Sequence, residues 1–195
     1  MKVIGISGNY GNYEGNLKPT VHLMSDSSLL KDGKPFFIPD FAESFEFSPS
    51  LVLHVNRLGK NISRKFAYRY YDEVTVGLAV KAKGMKDKFD GDDAGALAMA
   101  FDGAAILGSF VKKESLQDGA GEFSVAIDGS TCFAGNVDML QMDFDEIIEY
   151  VSKYFTLKIG DYIYVCTPDE QTRLTMNTVI TAKCGNEEVL RFKVK

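Results

Sequence analysis

The chain has no tryptophan, two histidines, three cysteines and five prolines among its 195 residues. Each shortage removes a class of protein. His22 and His54 are too few for a histidine-based metal centre. Cys132, Cys166 and Cys184 are odd in number and lack CxxC spacing, so they form neither a disulfide framework nor a zinc knuckle. Such cysteine usage suits a reducing cytoplasm. A basic excess is also missing: Lys and Arg total 22 against 27 Asp and Glu, a net charge of −5, so nucleic acid is not an expected partner. No apolar run reaches membrane-spanning length. Met1 to Ile6 is apolar for only a few residues before Ser7 and Gly8, too short for a signal-peptide core. What remains, 45% hydrophobic and 25% charged, is ordinary globular composition at a length that suits one domain.

Strand-like text dominates. Residues 51–55, 74–80 and 162–167 are rich in β-branched and apolar types, the last stopped by Pro168. Residues 123–127 alternate and run into Asp128-Gly129, a two-residue hairpin signal. Residues 178–182 and 189–194 flank Gly185-Asn186 and predict a closing hairpin. One helix stands out over about 143–155: Asp143 and Glu146 have capping-box spacing, and Phe144, Ile147, Ile148, Val151, Tyr154 and Phe155 share one face. A weaker helix follows Ser63, and residues 86–95 read as a solvated loop. Strands do not alternate with helices, which disfavours a doubly wound sheet.

The glycines near the start deserve a physical test. Residues 2–11 resemble a strand feeding a phosphate loop, as in flavodoxin-like reductases. Such a loop leads into a helix whose first amides hold the anion. Tyr10, Asn12, Tyr13, Gly15 and Asn16 are poor helix material, and GxGxxG spacing is absent. These glycines are expected to make a tight turn instead.

Read in order, several segments carry a resemblance. They are Asn9-Tyr10; Lys18-Pro19 through Leu30; Leu51 to Ser63 with Gly59-Lys60-Asn61-Ile62; Val74-Thr75-Val76-Gly77; and Phe101-Asp102 with Gly108. The strongest stretch runs from Asp128-Gly129 through Met142–Ile148 and Leu157-Lys158-Ile159-Gly160-Asp161 to Thr167-Pro168. Together the chain resembles the fumarylacetoacetate hydrolase family of metal-dependent hydrolases, isomerases and decarboxylases. The resemblance implies an α+β fold dominated by mixed β-sheets, a β-roll, in one domain over 1–195. Residues 1 to about 40 would form an N-terminal lid or arm, and the usual assembly would be a homodimer.

It also implies a site built on Mg²⁺ or Mn²⁺. Two glutamates at alternate strand positions, about 6–7 Å apart on one face, grip the ion together with an aspartate. In this chain those positions correspond to Ser48, Ser50 and Ala79. The lid histidine corresponds to Tyr13, and two lysines to Met24 and Met99. Tyrosine is a poor base at neutral pH and methionine donates no hydrogen bond. The expected site is therefore a pocket of Ser48, Ser50, Ala79, His22 and Thr167, with Tyr13, Met24 and Met99 as altered catalytic positions and no metal. The methionines either line an apolar pocket or fill space left by lysine. His54 and Cys166 read as structural, Cys166 as a small buried hydrophobe. Pro49 is expected to put its strand at a sheet edge or in a bulge.

Two functions follow. The first is a non-catalytic member that binds a small organic acid, an apolar ligand or a partner chain. The second is a metal-dependent hydrolase or isomerase of acylpyruvate-like or 2-hydroxyhepta-2,4-diene-1,7-dioate-like 2-oxo acids. Its site would be relocated onto Glu43, Glu46, Asp72 or Glu73. Neither reading involves nucleic acid or a membrane.

Overall fold

The computed structural model describes residues 1–11, 19–87, 93–166, 168 and 171–195. In chain order the strands are β1 (Val3–Ser7), β2 (Thr20–Met24), β3 (Leu29–Leu30), β4 (Ala42–Val55), β5 (Tyr71–Met85), β6 (Ala105–Leu107), β7 (Val111–Lys112), β8 (Glu122–Ile127), β9 (Ser130–Asn136), β10 (Tyr162–Tyr164), β11 (Thr172–Arg173), β12 (Val179–Cys184) and β13 (Glu187–Lys193). The helices are α1 (Arg64–Ala67), α2 (Asp93–Ala100), α3 (Lys113–Asp118) and α4 (Phe144–Tyr154). The larger sheet runs β2-β1-β10-β4-β5-β6-β3, with β11 beside β4 and β7 beside β5; the smaller runs β13-β12-β8-β9. The pairs β1–β10 and β3–β6 are parallel and the others antiparallel, so the larger sheet is mixed, the smaller is antiparallel, and the fold is α+β as the resemblance implied. Both β1 and β2 hydrogen-bond into the larger sheet.

The two longest strands, β4 and β5, organise the molecule because each is wet on neither face along its centre. Phe45, Phe47, Leu51 and Leu53 of β4 point one way with Val74, Val76, Leu78 and Val80 of β5, into the main core. Val52 points the other way and packs with Val3, Met24, Ala105, Leu107 and Tyr164 in a second, smaller cluster. The Tyr164 ring needs room that only glycine leaves: a Cβ at Gly77 would lie 2.7 Å from Tyr164 Cε1. Its hydroxyl donates to the Ile106 carbonyl at 3.0 Å, which binds β10 to β6 across the intervening strands.

Local signals worked where they were local. Asp143 and Glu146 form the reciprocal capping box at the start of α4. The cap contributes about 1 kcal/mol, whereas burying Ile147, Ile148 and Val151 contributes roughly 2 kcal/mol each. Packing holds this helix, and the cap decides where it begins. Asp128 and Gly129, both at positive φ, make the two-residue turn between β8 and β9, and Gly8 and Gly11 turn the chain after β1. Of the segment read as a loop over 86–95, residues 88–92 lie outside the described residues, and from Asp93 the chain is instead in α2. A glycine inside its first turns hid the helix.

Pro49 also differs from expectation. It lies opposite Leu78 in the middle of β4, at neither an edge nor a bulge. The carbonyls of Phe45 and Leu51 accept from Leu174 and Val165, so odd-numbered β4 residues direct their backbone polar groups away from β5. Pro49 shares that parity. Its nitrogen faces the gap between β10, which pairs residues 52–54, and β11, which pairs residues 46–47. No ladder hydrogen bond is lost there.

Asp161 ties the start of the chain to the turn before β10. Its buried carboxylate accepts from the Lys2 amide at 2.7 Å and the Lys158 amide at 2.8 Å and pairs with Lys2 Nζ at 2.5 Å. Replacing Asp161 by Ala strands two amide donors and should cost roughly 3 kcal/mol, read as a lower urea midpoint at unchanged slope. A change below about 0.5 kcal/mol would show that Asp161 does not anchor the sheet.

Candidate active site

Strand period and register converge on one pocket. Ser48 faces Ala79 directly across the β4–β5 ladder, and one rung further along the same face Glu46 lies opposite Lys81. On the neighbouring hairpin His22 is opposite Gly5, and Met24 is opposite Val3. A Cβ at Gly5 would overlap the His22 ring, so the glycine is what lets the imidazole lie across β1. Met99 approaches from α2. These residues enclose a cavity of about 220 Å³ with Ser7, Pro168 and Gln171. The structure therefore brings together five positions read from the sequence, Ser48, Ala79, His22, Met24 and Met99. Tyr13 and Thr167 lie outside the described residues.

Ser50 has a different role. Its hydroxyl donates to the Leu51 carbonyl at 2.9 Å and accepts from the Cys166 amide at 3.1 Å, which uses both capacities inside the protein. Cys166 is fully buried, and burial pushes its thiol up to about 11, far from a reactive thiolate. His54 contacts Glu73 through Nδ1 at 3.3 Å and packs beside the stacked rings of Phe110 and Tyr162.

Three polar groups of the pocket behave differently. The Ser48 hydroxyl, the His22 imidazole and the Lys81 ammonium make no hydrogen bond or ion pair with any described residue. No buried side-chain nitrogen or oxygen lacks a partner among the described residues, so these groups keep some exposure, and all three residues line the cavity. Burial lowers the His22 pKa, and the Lys81 ammonium lowers it further, so the ring is uncharged at pH 7. Lys81 and Gln171 went unread in the sequence. The signal for Lys81 was its spacing, two residues beyond Ala79 on the same strand face.

The donors do not fit a divalent cation. Such an ion wants several oxygen ligands with anionic charge among them. The described lining offers hydroxyls, an amide, an imidazole and a lysine, with no carboxylate. No cluster of three His, Cys, Asp or Glu side chains exists among the described residues. Three of the four carboxylates considered for a relocated site are paired with lysines. Glu46 pairs with Lys83 at 3.5 Å, and Lys112 holds both Asp72 at 3.7 Å and Glu73 at 3.1 Å. Glu43 is exposed beside Gly84.

The neutral imidazole makes stability depend on pH with a definite sign. Unfolded, His22 titrates near its ordinary 6.5 and below that pH binds a proton the folded state refuses. Stability therefore rises as pH climbs from the lowered folded value to about 6.5 and is flat above. Imidazole NMR should show His22 titrating below 6.5, and His22→Gln should flatten the stability curve in that window. A His22 titration at or above 6.5 would contradict the burial account. Gly5→Ala should displace the ring and shift its resonances while the protein stays folded.

Comparison with known proteins places this geometry. Residues 7–194 match the profile described as fumarylacetoacetate (FAA) hydrolase, C-terminal. A mitochondrial oxaloacetate tautomerase of Caenorhabditis elegans is 25% identical over 100% of this chain and 94% of its own length. A mitochondrial oxaloacetate decarboxylase of Dictyostelium discoideum is 24% identical over 94% of this chain and 88% of its own. Among solved structures, a 5-carboxymethyl-2-hydroxymuconate delta-isomerase from Mycobacterium smegmatis superposes with a TM-score of 0.85 at 20% identity, covering 99% of this chain and 78% of that one. Those sequence relatives bear enzyme names along nearly the whole chain, which overturns the expectation of a non-catalytic binding protein. Their mitochondrial names also leave the cytoplasmic expectation unsupported; what the structure adds is that no described helix is long and apolar enough to cross a membrane. The chain belongs to the fumarylacetoacetate hydrolase family.

Proposed function

We propose that the protein is an isomerase of small 2-oxo acids that interconverts keto and enol tautomers. One observation carries the reading: a neutral imidazole, together with an ammonium and a hydroxyl that have no partner among the described residues, belongs to the lining of one small cavity. A base must be deprotonated at working pH, and His22 is. An anion needs a counter-charge, and Lys81 is the pocket's cation among the described residues. At about 220 Å³ the cavity falls below the roughly 300–1,000 Å³ of drug-sized ligand sites, which suits a short-chain acid. The names of the tautomerase and decarboxylase relatives support the same substrate class.

The chemistry needs no oxidant. The His22 nitrogen lone pair takes a proton from the carbon next to the ketone. The C–H electrons become the C=C bond, and the carbonyl π electrons move onto oxygen. The imidazolium returns its proton to that oxygen, which completes the enol; the reverse path regenerates the ketone. Met24, Met99 and Ala79 supply an apolar wall that limits water around the reacting carbon.

With oxaloacetate as the probe, the purified protein should accelerate loss of the enol's ultraviolet absorbance. His22→Gln should lower kcat by about 100-fold or more with an unchanged circular dichroism spectrum. The wild-type kcat/KM should rise with pH to a plateau, with its midpoint below the ordinary histidine value of 6.5, because the base is active only when unprotonated. Retention of wild-type kcat in His22→Gln would remove His22 as the base.

A further inference from the structure

The metal that the resemblance implies and the pocket's residues disagree, and the disagreement has a consequence. We infer that Lys81 takes over the electrostatic task of a divalent ion, so that enolisation in this pocket proceeds on the lysine's fixed charge with no bound metal. The inference rests on the isomerase reading of the same pocket.

Position argues for it first. A strand's alternate residues share a face about 6–7 Å apart, which places Lys81 one step along from Ala79 and diagonal to Ser48 across the ladder. Those two positions are where the resemblance sets two of the three anionic ligands. Here they carry no charge, and the adjacent rung adds a lysine to the lining of the same cavity.

Availability argues second. A lysine on a sheet face usually finds a carboxylate, and Glu46 lies directly opposite Lys81. Glu46 is instead paired with Lys83 at 3.5 Å. Lys81 makes no ion pair with any described residue and is half-buried rather than extended into solvent. An ammonium in that setting keeps its counter-ion position open for a ligand. After burial, the same charge is the second cause that lowers the His22 pKa, in keeping with the place of both residues in one cavity lining.

Chemistry argues third. Enolisation develops negative charge on the ketone oxygen, and a fixed cation beside that oxygen stabilises the transition state more than the neutral ground state. The Ser48 hydroxyl on the neighbouring strand, unpartnered among the described residues, is placed to donate to the same oxygen. Proton and electrons balance as in the isomerisation above, since Lys81 contributes charge and transfers nothing. A residue that merely anchored the substrate carboxylate would serve ground and transition states alike and change KM rather than kcat.

The test uses the full chain stripped with EDTA, oxaloacetate as substrate, and the variants Lys81→Met and Lys81→Arg. Stripped wild type should keep its tautomerase activity, with less than about a twofold rise on adding Mg²⁺ or Mn²⁺. Lys81→Met should lose about 100-fold in kcat, the scale of removing one oxyanion-stabilising group. Lys81→Arg should recover part of that loss. Independently of activity, the His22 NMR titration should move upward in Lys81→Met, and free Mn²⁺ should keep its full electron paramagnetic resonance signal in the presence of the protein. Activity that appears only with added metal overturns the Lys81 assignment and leaves the isomerase reading standing. So does an effect of Lys81→Met confined to KM, or an unmoved His22 titration. Wild-type protein inactive both with and without metal overturns the two together.

Discussion

The antiparallel register of β4 against β5 places Ser48 opposite Ala79 and Glu46 opposite Lys81, and the rest of the site depends on that alignment. A slip of one residue would turn Phe47 and Val80 toward the pocket and Ser48 and Lys81 toward the core. The slip is prevented from the other side: Phe45, Phe47, Leu51 and Leu53 interlock with Val76, Leu78 and Val80 in a face that excludes water. Burial on one face of the hairpin thus specifies the chemistry on the other. The register also explains how the chain carries Pro49 in a central strand, because the residues whose backbone turns away from β5 have a gap beside them there.

Two electrostatic effects act on the pocket and reinforce each other. Enclosure lowers the effective dielectric around His22 and Lys81, which strengthens a fixed charge and disfavours a second one. Burial, and then the nearby positive charge, make the histidine give its proton up. On the proposed reading a general base works beside a cation, an arrangement that suits removing a proton from a substrate whose product is an anion. A carboxylate cage around a divalent ion solves the same problem with more charge and more desolvation. The lysine version supplies a single positive charge on a covalent tether and needs no ion to be captured.

How much of this was legible depends on the range of the interaction. The capping box of α4 and the Asp128-Gly129 hairpin are written in neighbouring residues, and both stand in the structure where the sequence put them. Ser48, Ala79, His22, Met24 and Met99 were legible as positions only through the resemblance, since nothing in their local text says that four separate elements meet. Lys81 was missed because the apolar run it follows ends at Val80, and periodicity read as a strand boundary what is a continuation on the open face. Ser50 was read as a pocket residue because the resemblance sets it, like Ser48, at a metal-binding glutamate position; the hydrogen bonds to Leu51 and Cys166 that occupy it are visible only in three dimensions. The inference from lost carboxylates to lost catalysis failed for a related reason. It counted the groups that were gone and had no means of seeing the one that faces the same space.

A structure with bound oxalate, a planar mimic of the enolate of a 2-oxo acid, tests the central claim most directly. The account predicts oxalate in the cavity with oxygens within hydrogen-bond distance of Lys81 Nζ and Ser48 Oγ, and its edge toward His22, even from crystals grown with Mg²⁺. Oxalate seated on a divalent ion held by other residues, or bound away from Lys81, would contradict it.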